Sequence, residues 1–159
     1  MIRRVGEAVR QGQVYRRRPG VYAALLREGQ VLLTHQAEPD DEFQLPGGGI
    51  DPGEQPLAAL HREVWEETGW TIAGARRLGA FRRFTYMPDY GYWAEKVCTV
   101  YLARPVRQLG PPAEPGHSAV WAPLEVAARI VGNSGDRMFL ADLARDRAAG
   151  GIRAGHGRM

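Results

Sequence analysis

The stretch Gly48–Trp70, GGIDPGEQPLAALHREVWEETGW, decides how the rest of this 159-residue chain is read. It opens inside Leu45-Pro46-Gly47-Gly48-Gly49, where three glycines supply backbone freedom but no side chains to pack, so a tight loop is expected rather than a strand. The chain then turns through Asp51–Pro56. Pro56 suits a first helical position, because its missing N–H would have had no partner there. A helix is predicted from about Gln55 to Thr68, closed by Gly69 as a left-handed cap.

On that helix Leu57, Leu60 and Val64 fall at i, i+3 and i+7, the spacing of a stripe that packs on a sheet. Glu63, Glu66 and Glu67 fall at i, i+3 and i+4, so their carboxylates converge on another face, within reach of one ion. Like charges at these spacings repel, and no lysine on the helix relieves them. A plain acidic surface with Arg62 and Arg76 as counter-charges is the competing reading. Oxygen donors of this kind suit Mg²⁺ or Mn²⁺, and no Cys/His cluster argues for zinc.

The order Gly48, five residues, Glu54, seven residues, Arg62-Glu63, Val64, Trp65, Glu66-Glu67, Thr68, Gly69, Trp70 resembles the complete box of the Nudix (MutT-type) hydrolase family. Trp70 stands in a slot that is usually aliphatic, a departure that bears on packing rather than chemistry. The resemblance implies an α+β fold, a mixed β-sheet sandwiched between α-helices in three layers (α/β/α). It also implies cleavage of a pyrophosphate bond by water activated on Mg²⁺ or Mn²⁺. Carried over position by position, Glu63, Glu66 and Glu67 are the metal-binding carboxylates, the Gly47 carbonyl is a backbone ligand, and Arg62 orients Glu63. Gly48 and Glu54 support the cluster. Glu63 is the first choice for general base, while Glu114, in the later proline-rich connection, is a second candidate and Glu95 a third. His117 reads as a loop hydrogen-bonder.

Length and composition fit one domain, with an N-terminal extension over residues 1–17, a domain over 18–149 and a flexible tail over 150–159. The single cysteine, Cys98, lies in an apolar stretch and cannot form an internal disulfide, so a buried thiol and a reducing cytoplasm are expected. No signal segment and no membrane span is expected. The net charge is +3, and Lys96 is the lone lysine among many arginines. Clusters at Arg16-Arg17-Arg18, Arg76-Arg77 and Arg82-Arg83 suit phosphate. Solvated surface is the favoured reading for most of them, and nucleic acid is not the expected partner. Family resemblance leaves a homodimer open.

Residues 1–19 read as polar and irregular. Strands are predicted at Val21–Leu26 and Val31–His35, joined by a turn, then at Phe43–Leu45, Arg76–Tyr86, Ala94–Ala103 and through Val120–Trp121. Irregular chain is expected at Leu109–Gly116, and helices near Leu124–Val131 and Asp136–Ala148. The loop Met87–Trp93 is dense in aromatic residues, and Tyr86, Tyr90, Tyr92 and Trp93 are the candidate platform for a nucleotide substrate. Tyr86 lies sixteen residues past Trp70, near where diadenosine-polyphosphate hydrolases of the family carry a tyrosine. Where many ADP-ribose hydrolases carry proline, this chain has Thr85, with Pro88 beyond. The expected substrate is a nucleoside or dinucleoside polyphosphate. ADP-ribose or a nucleotide sugar, and a nucleotide-sensing module without catalysis, stand as alternatives.

Overall fold

From Arg16 to Arg27 the chain is a single strand whose residues alternate between two buried environments. Val21, Ala23 and Leu25 enter one cluster, and Tyr22, Ala24 and Leu26 enter the other, which is the period of two expected when both faces of a sheet are covered. The computed structural model describes residues 2–38 and 41–150. In chain order the elements are β1 (Arg3–Arg4), β2 (Arg16–Arg27), β3 (Gln30–Gln36), β4 (Glu42–Gln44), β5 (Gly47–Gly49), α1 (Pro56–Thr68), β6 (Trp70–Met87), β7 (Tyr92–Gln108), β8 (His117–Pro123), α2 (Leu124–Ile130) and α3 (Ser134–Ala148).

The strands form one mixed sheet in the order β1-β6-β7-β2-β3-β4, with β5 also paired to β2 and β8 to β3. β2 runs parallel to β7 and β1 parallel to β6, while the other pairings are antiparallel. α1 covers the Val21 side through Ala59, Leu60 and Val64. α2 and α3 cover the other through Leu124, Ala127, Leu140 and Leu143. The fold is therefore α+β, with helices on both faces of a mixed sheet. Cys98 is buried in the second cluster, and its thiol is pushed up to about 11 by that burial.

Several expectations need correction. Leu57 is 47% exposed, and the buried stripe of α1 runs instead through Ala59, Leu60, Val64, Glu67 and Thr68. The helix is turned so that a carboxylate rather than Leu57 meets the sheet. Gly47–Gly49 is a strand, not a loop, paired with Tyr22, Val21 and Gly20. Its glycines are there for space. A Cβ on Gly47 would stand 2.1 Å from the Val21 carbonyl oxygen, and one on Gly48 would stand 2.6 Å from the Glu63 carboxylate. Residues 1–19 are not uniformly irregular, because Arg3 and Arg4 pair with Phe81 and Arg82, and β2 already begins at Arg16. The long strands β6 and β7 leave only a short turn between Met87 and Tyr92, closed by Tyr90 and Gly91 N–H groups donating to the Met87 carbonyl. Of the expected C-terminal tail, residues 151–159 lie outside the described chain.

Candidate functional site

Pro56 occupies the start of α1 and Gly69 caps its end at φ 76°, so the helix stops where its last carbonyls face the chain that follows β7. Ala113 and Glu114 donate their backbone N–H groups to the Glu66 carbonyl at 2.9 and 3.0 Å, and Leu109 donates to the Gly69 carbonyl. These bonds satisfy a helix-end acceptor and bring the Glu114 side chain onto the acidic face. Two sets of potential ligand atoms result, Glu63 with Glu66 and Glu114, and Glu67 with Glu114 and His117, each within 4.8 Å of one another.

Arg62 organises the near side of this cluster with all five of its N–H groups. Nε and Nη2 grip Glu54 at 2.8 Å each, Nη1 donates to Glu63 at 2.8 Å and Glu66 at 3.3 Å, and Nη2 also reaches the Gly49 carbonyl at 3.2 Å. The planar fork matches Glu54 edge to edge, which an ammonium could not do. Glu54 also accepts from the Asp51 N–H, and with Arg62 as the larger cause its carboxyl is held down to about 2. Glu54 thus stays ionised and serves as the anchor of Arg62.

Glu67 has the opposite environment. It is 8% exposed and accepts one hydrogen bond, 3.0 Å from the Gly47 N–H. Burial pushes its carboxyl well above the ordinary range, against that hydrogen bond, and Glu63, Glu114 and Glu66 push it further. Glu63 is also raised, by burial first, despite Arg62. A buried carboxylate crowded by three others calls for a cation, and the donor set fits one: mostly carboxylate oxygens, with one imidazole.

His117 is the residue that sequence reasoning undervalued. Its side chain is 11% exposed, its Nε2 lies 3.8 Å from Glu114, and its Nδ1 is buried without a hydrogen-bond partner. No local signal marks it, since β8 carries it to the cluster by pairing with β3. Glu95, by contrast, lies 3.6 Å from Arg82 on β7 and belongs to neither ligand set.

The four aromatic residues around the β6–β7 turn, of which only Tyr90 lies within it, form two contacting pairs, Tyr86 with Trp93 at 5.4 Å and Tyr90 with Tyr92 at 5.8 Å. Three of the rings carry an arginine: Arg10 over Trp93, Arg16 over Tyr92 and Arg18 over Tyr90, at 4.4, 4.6 and 4.3 Å. Two members of the Arg16–Arg18 cluster are therefore packed on rings rather than merely solvated.

Known proteins resemble this chain in sequence and in fold. An RNA pyrophosphohydrolase of Mesorhizobium japonicum is 51% identical over 61 residues, covering 33% of this chain and 35% of that protein. A putative 8-oxo-dGTP diphosphatase of Bacillus subtilis is 36% identical over 64 residues, covering 40% and 43%. The chain thus spans well under two thirds of these relatives' length. The MutT NUDIX hydrolase structure from Burkholderia pseudomallei superposes with a TM-score of 0.63 at 25% identity, over 79% of this chain and 97% of that one. The MutT protein of Methanosarcina mazei superposes at 0.66, over 84% and 96%, with 24% identity, a likeness of fold. The NUDIX domain family model matches residues 16–143, which takes in every strand except β1, with α1, α2 and most of α3, and the chain belongs to that family.

Proposed function

We propose that the protein is a divalent-metal-dependent pyrophosphohydrolase acting on a nucleoside or dinucleoside polyphosphate. The observation that carries this reading is the buried Glu67 carboxylate, crowded by Glu63, Glu66 and Glu114 with one N–H as its hydrogen-bond partner. A carboxylate so placed is costly unless a cation meets it.

Glu63, Glu66 and Glu67, with the Gly47 carbonyl, would hold Mg²⁺ or Mn²⁺. Such an ion supplies Lewis acidity toward a diphosphate and lowers the pKa of an attacking water. Arg62, anchored by Glu54, holds Glu63 in one orientation. Glu63 accepts the proton of the water whose oxygen bonds to phosphorus, the anhydride P–O bond breaks, and the departing phosphate leaves as an anion. Glu114 is the second carboxylate able to accept that proton, and His117 lies against it. Gly48 leaves room for the Glu63 carboxylate. Of the aromatic candidates, Tyr86 and Trp93 share one face of the β6–β7 hairpin while Tyr92, with Tyr90 against it, takes the other, so one pair rather than all four would face the rest of the substrate.

The matched relatives are named for RNA, 8-oxo-dGTP and diphosphoinositol polyphosphate, a spread that fits a shared box with divergent surroundings. No helix among the described residues is long and apolar enough to cross a membrane. With its one thiol buried, the enzyme fits a reducing cytoplasm.

The test is incubation of nucleotides with Mg²⁺ or Mn²⁺ in H₂¹⁸O, with products separated and weighed. Metal-dependent release of a nucleotide carrying ¹⁸O on phosphorus is expected. Binding without turnover across the panel would replace this reading with a nucleotide-sensing module. Turnover confined to ADP-ribose or nucleotide sugars would move the substrate class.

A further inference from the structure

Three cations face one another across the centre of the sheet. Arg83 on β6 is the register partner of Lys96 on β7, and Lys96 is the register partner of Arg18 on β2, so all three project from the same face. Like charges directly opposite in neighbouring strands destabilise a sheet. The next row, on the opposite face, avoids this: Glu95 sits between Phe84 and Arg17, with Arg82 3.6 Å away. In the Arg83–Lys96–Arg18 row, no carboxylate among the described residues comes within ion-pair distance of any of the three. Lys96, the lone lysine of the chain, is half-buried there, and burial first, then Arg83 and Arg18, lower its pKa. Asp136 is the buried acid on this side of the sheet, and it accepts instead from the Leu45 N–H at 3.0 Å.

The row also abuts the acidic cluster. Arg18 donates to the Tyr92 hydroxyl at 2.6 Å and stacks over Tyr90, which fixes its guanidinium. Its Nη2 lies 3.2 Å from where a Cβ on Gly49 would stand, and the carbonyl of that same Gly49 accepts from Arg62. One glycine therefore separates the cationic row from the guanidinium that organises the carboxylates.

We infer that Arg83, Lys96 and Arg18 form a built anion site that holds a phosphate of the substrate lying outside the scissile diphosphate. The inference rests on the hydrolase reading for its neighbour, the acidic cluster. It assigns specificity: a triphosphate or longer polyphosphate chain reaches both sites, whereas a nucleotide sugar or ADP-ribose has no third phosphate for the row. Asp136 offsets part of the mutual repulsion of the three cations, and a multivalent anion seated among them would offset more.

Titration calorimetry of metal-free protein with inorganic tripolyphosphate tests the row without requiring turnover. Wild type and Glu66→Gln should bind, whereas Lys96→Gln and Arg18→Gln should bind at least tenfold more weakly. With Mg²⁺ present, Lys96→Gln should raise KM for a nucleoside triphosphate at least tenfold, leave kcat within a few-fold, and change kcat/KM for ADP-ribose less than twofold. Its melting temperature should equal or exceed that of wild type, because a repulsion is removed. Equal tripolyphosphate affinity in wild type and Lys96→Gln, or an equal loss on ADP-ribose, would overturn the inference. Row-dependent tripolyphosphate binding by a protein that hydrolyses no nucleotide would uphold the row and overturn the hydrolase reading.

Discussion

Two regions of opposite charge meet at the strand Gly47–Gly49, and they solve the problem of crowding in different ways. On the α1 side, carboxylates outnumber cations, and the one guanidinium among them spends every N–H on Glu54, Glu63, Glu66 and the Gly49 carbonyl. On the other side, Arg83, Lys96 and Arg18 stand in register with no acid paired to any of them among the described residues. The acidic region has an internal organiser, Arg62, whose hydrogen bonds do not include Glu67; the basic region has ring faces and a tyrosine hydroxyl to position Arg18. On the proposed reading, a substrate carrying several phosphates and arriving with a divalent cation would serve both at once. Local repulsion of this kind lowers stability, and folds tolerate it where a ligand will use it.

The sharpest way to break the acidic half is to remove one carboxylate. On the proposed reading, Glu66→Gln or Glu67→Gln should lower kcat by several orders of magnitude at saturating Mg²⁺ while the protein still folds, because each change keeps the side chain's size and removes only the charge that would meet the cation. Glu67→Gln keeps an acceptor for the Gly47 N–H and removes a buried charge. Its metal-free melting temperature should therefore not fall. Full activity in either variant, measured by product chromatography, would sink the assignment.

The support beneath that half is apolar. Leu60 is fully buried between α1 and the sheet, so Leu60→Ala should cost about 2–5 kcal/mol in denaturant unfolding. Leu57, half exposed on the same helix, should cost less than about 0.5 kcal/mol when changed to alanine. Equal losses would mean that α1 is turned differently on the sheet. The expected effect on the organiser is milder than the loss of a carboxylate: Arg62→Lys keeps the charge but loses the two-pronged grip on Glu54. Activity or metal affinity should fall about 10–100-fold, the usual range for groups that orient metal ligands.

These halves were not equally legible. The acidic half comes mainly from one helix, whose three-and-four spacing and flanking Pro56 and Gly69 are local features that sequence displays directly. Even there the rotation was misjudged, because a stripe of leucine and valine at 57, 60 and 64 is the ordinary apolar pattern, and nothing local signals that Glu67 takes the sheet-facing place. Gly47–Gly49 looked like a loop because the clashes that demand glycine there come from Val21, Tyr22 and Glu63, all distant in sequence. The basic half was legible only as separate arginine clusters, for a stronger reason. Residues 18, 83 and 96 become neighbours only through the β2–β7 and β6–β7 registers, and three arginines in a row read equally well as solvated surface. Glu114 and His117 lay between these cases, the first on a proline-rich connection whose docking depends on two bonds to the Glu66 carbonyl, the second at the start of β8 just beyond it.

Asp136 offers the finest test of the contrast, because it is a buried acid on the basic side. Its Oδ2 accepts from the Leu45 N–H, its Oδ1 has no partner, and burial raises its carboxyl to about 6 from an ordinary value near 3.8. The sign follows from that shift. A folded-state value above the unfolded one contributes stability that is complete below about pH 4 and is lost as the pH rises through about 6. Asp136→Asn retains an acceptor oxygen for Leu45 and cannot ionise. The difference in melting temperature, variant minus wild type, should therefore shift in the variant's favour between pH 4 and pH 7, measured on metal-free protein so that the acidic cluster contributes equally to both. A difference that stays constant across that range would mean that the cationic row already neutralises Asp136. The row would then be less starved of anions than its register implies, and its affinity for a substrate phosphate correspondingly weaker.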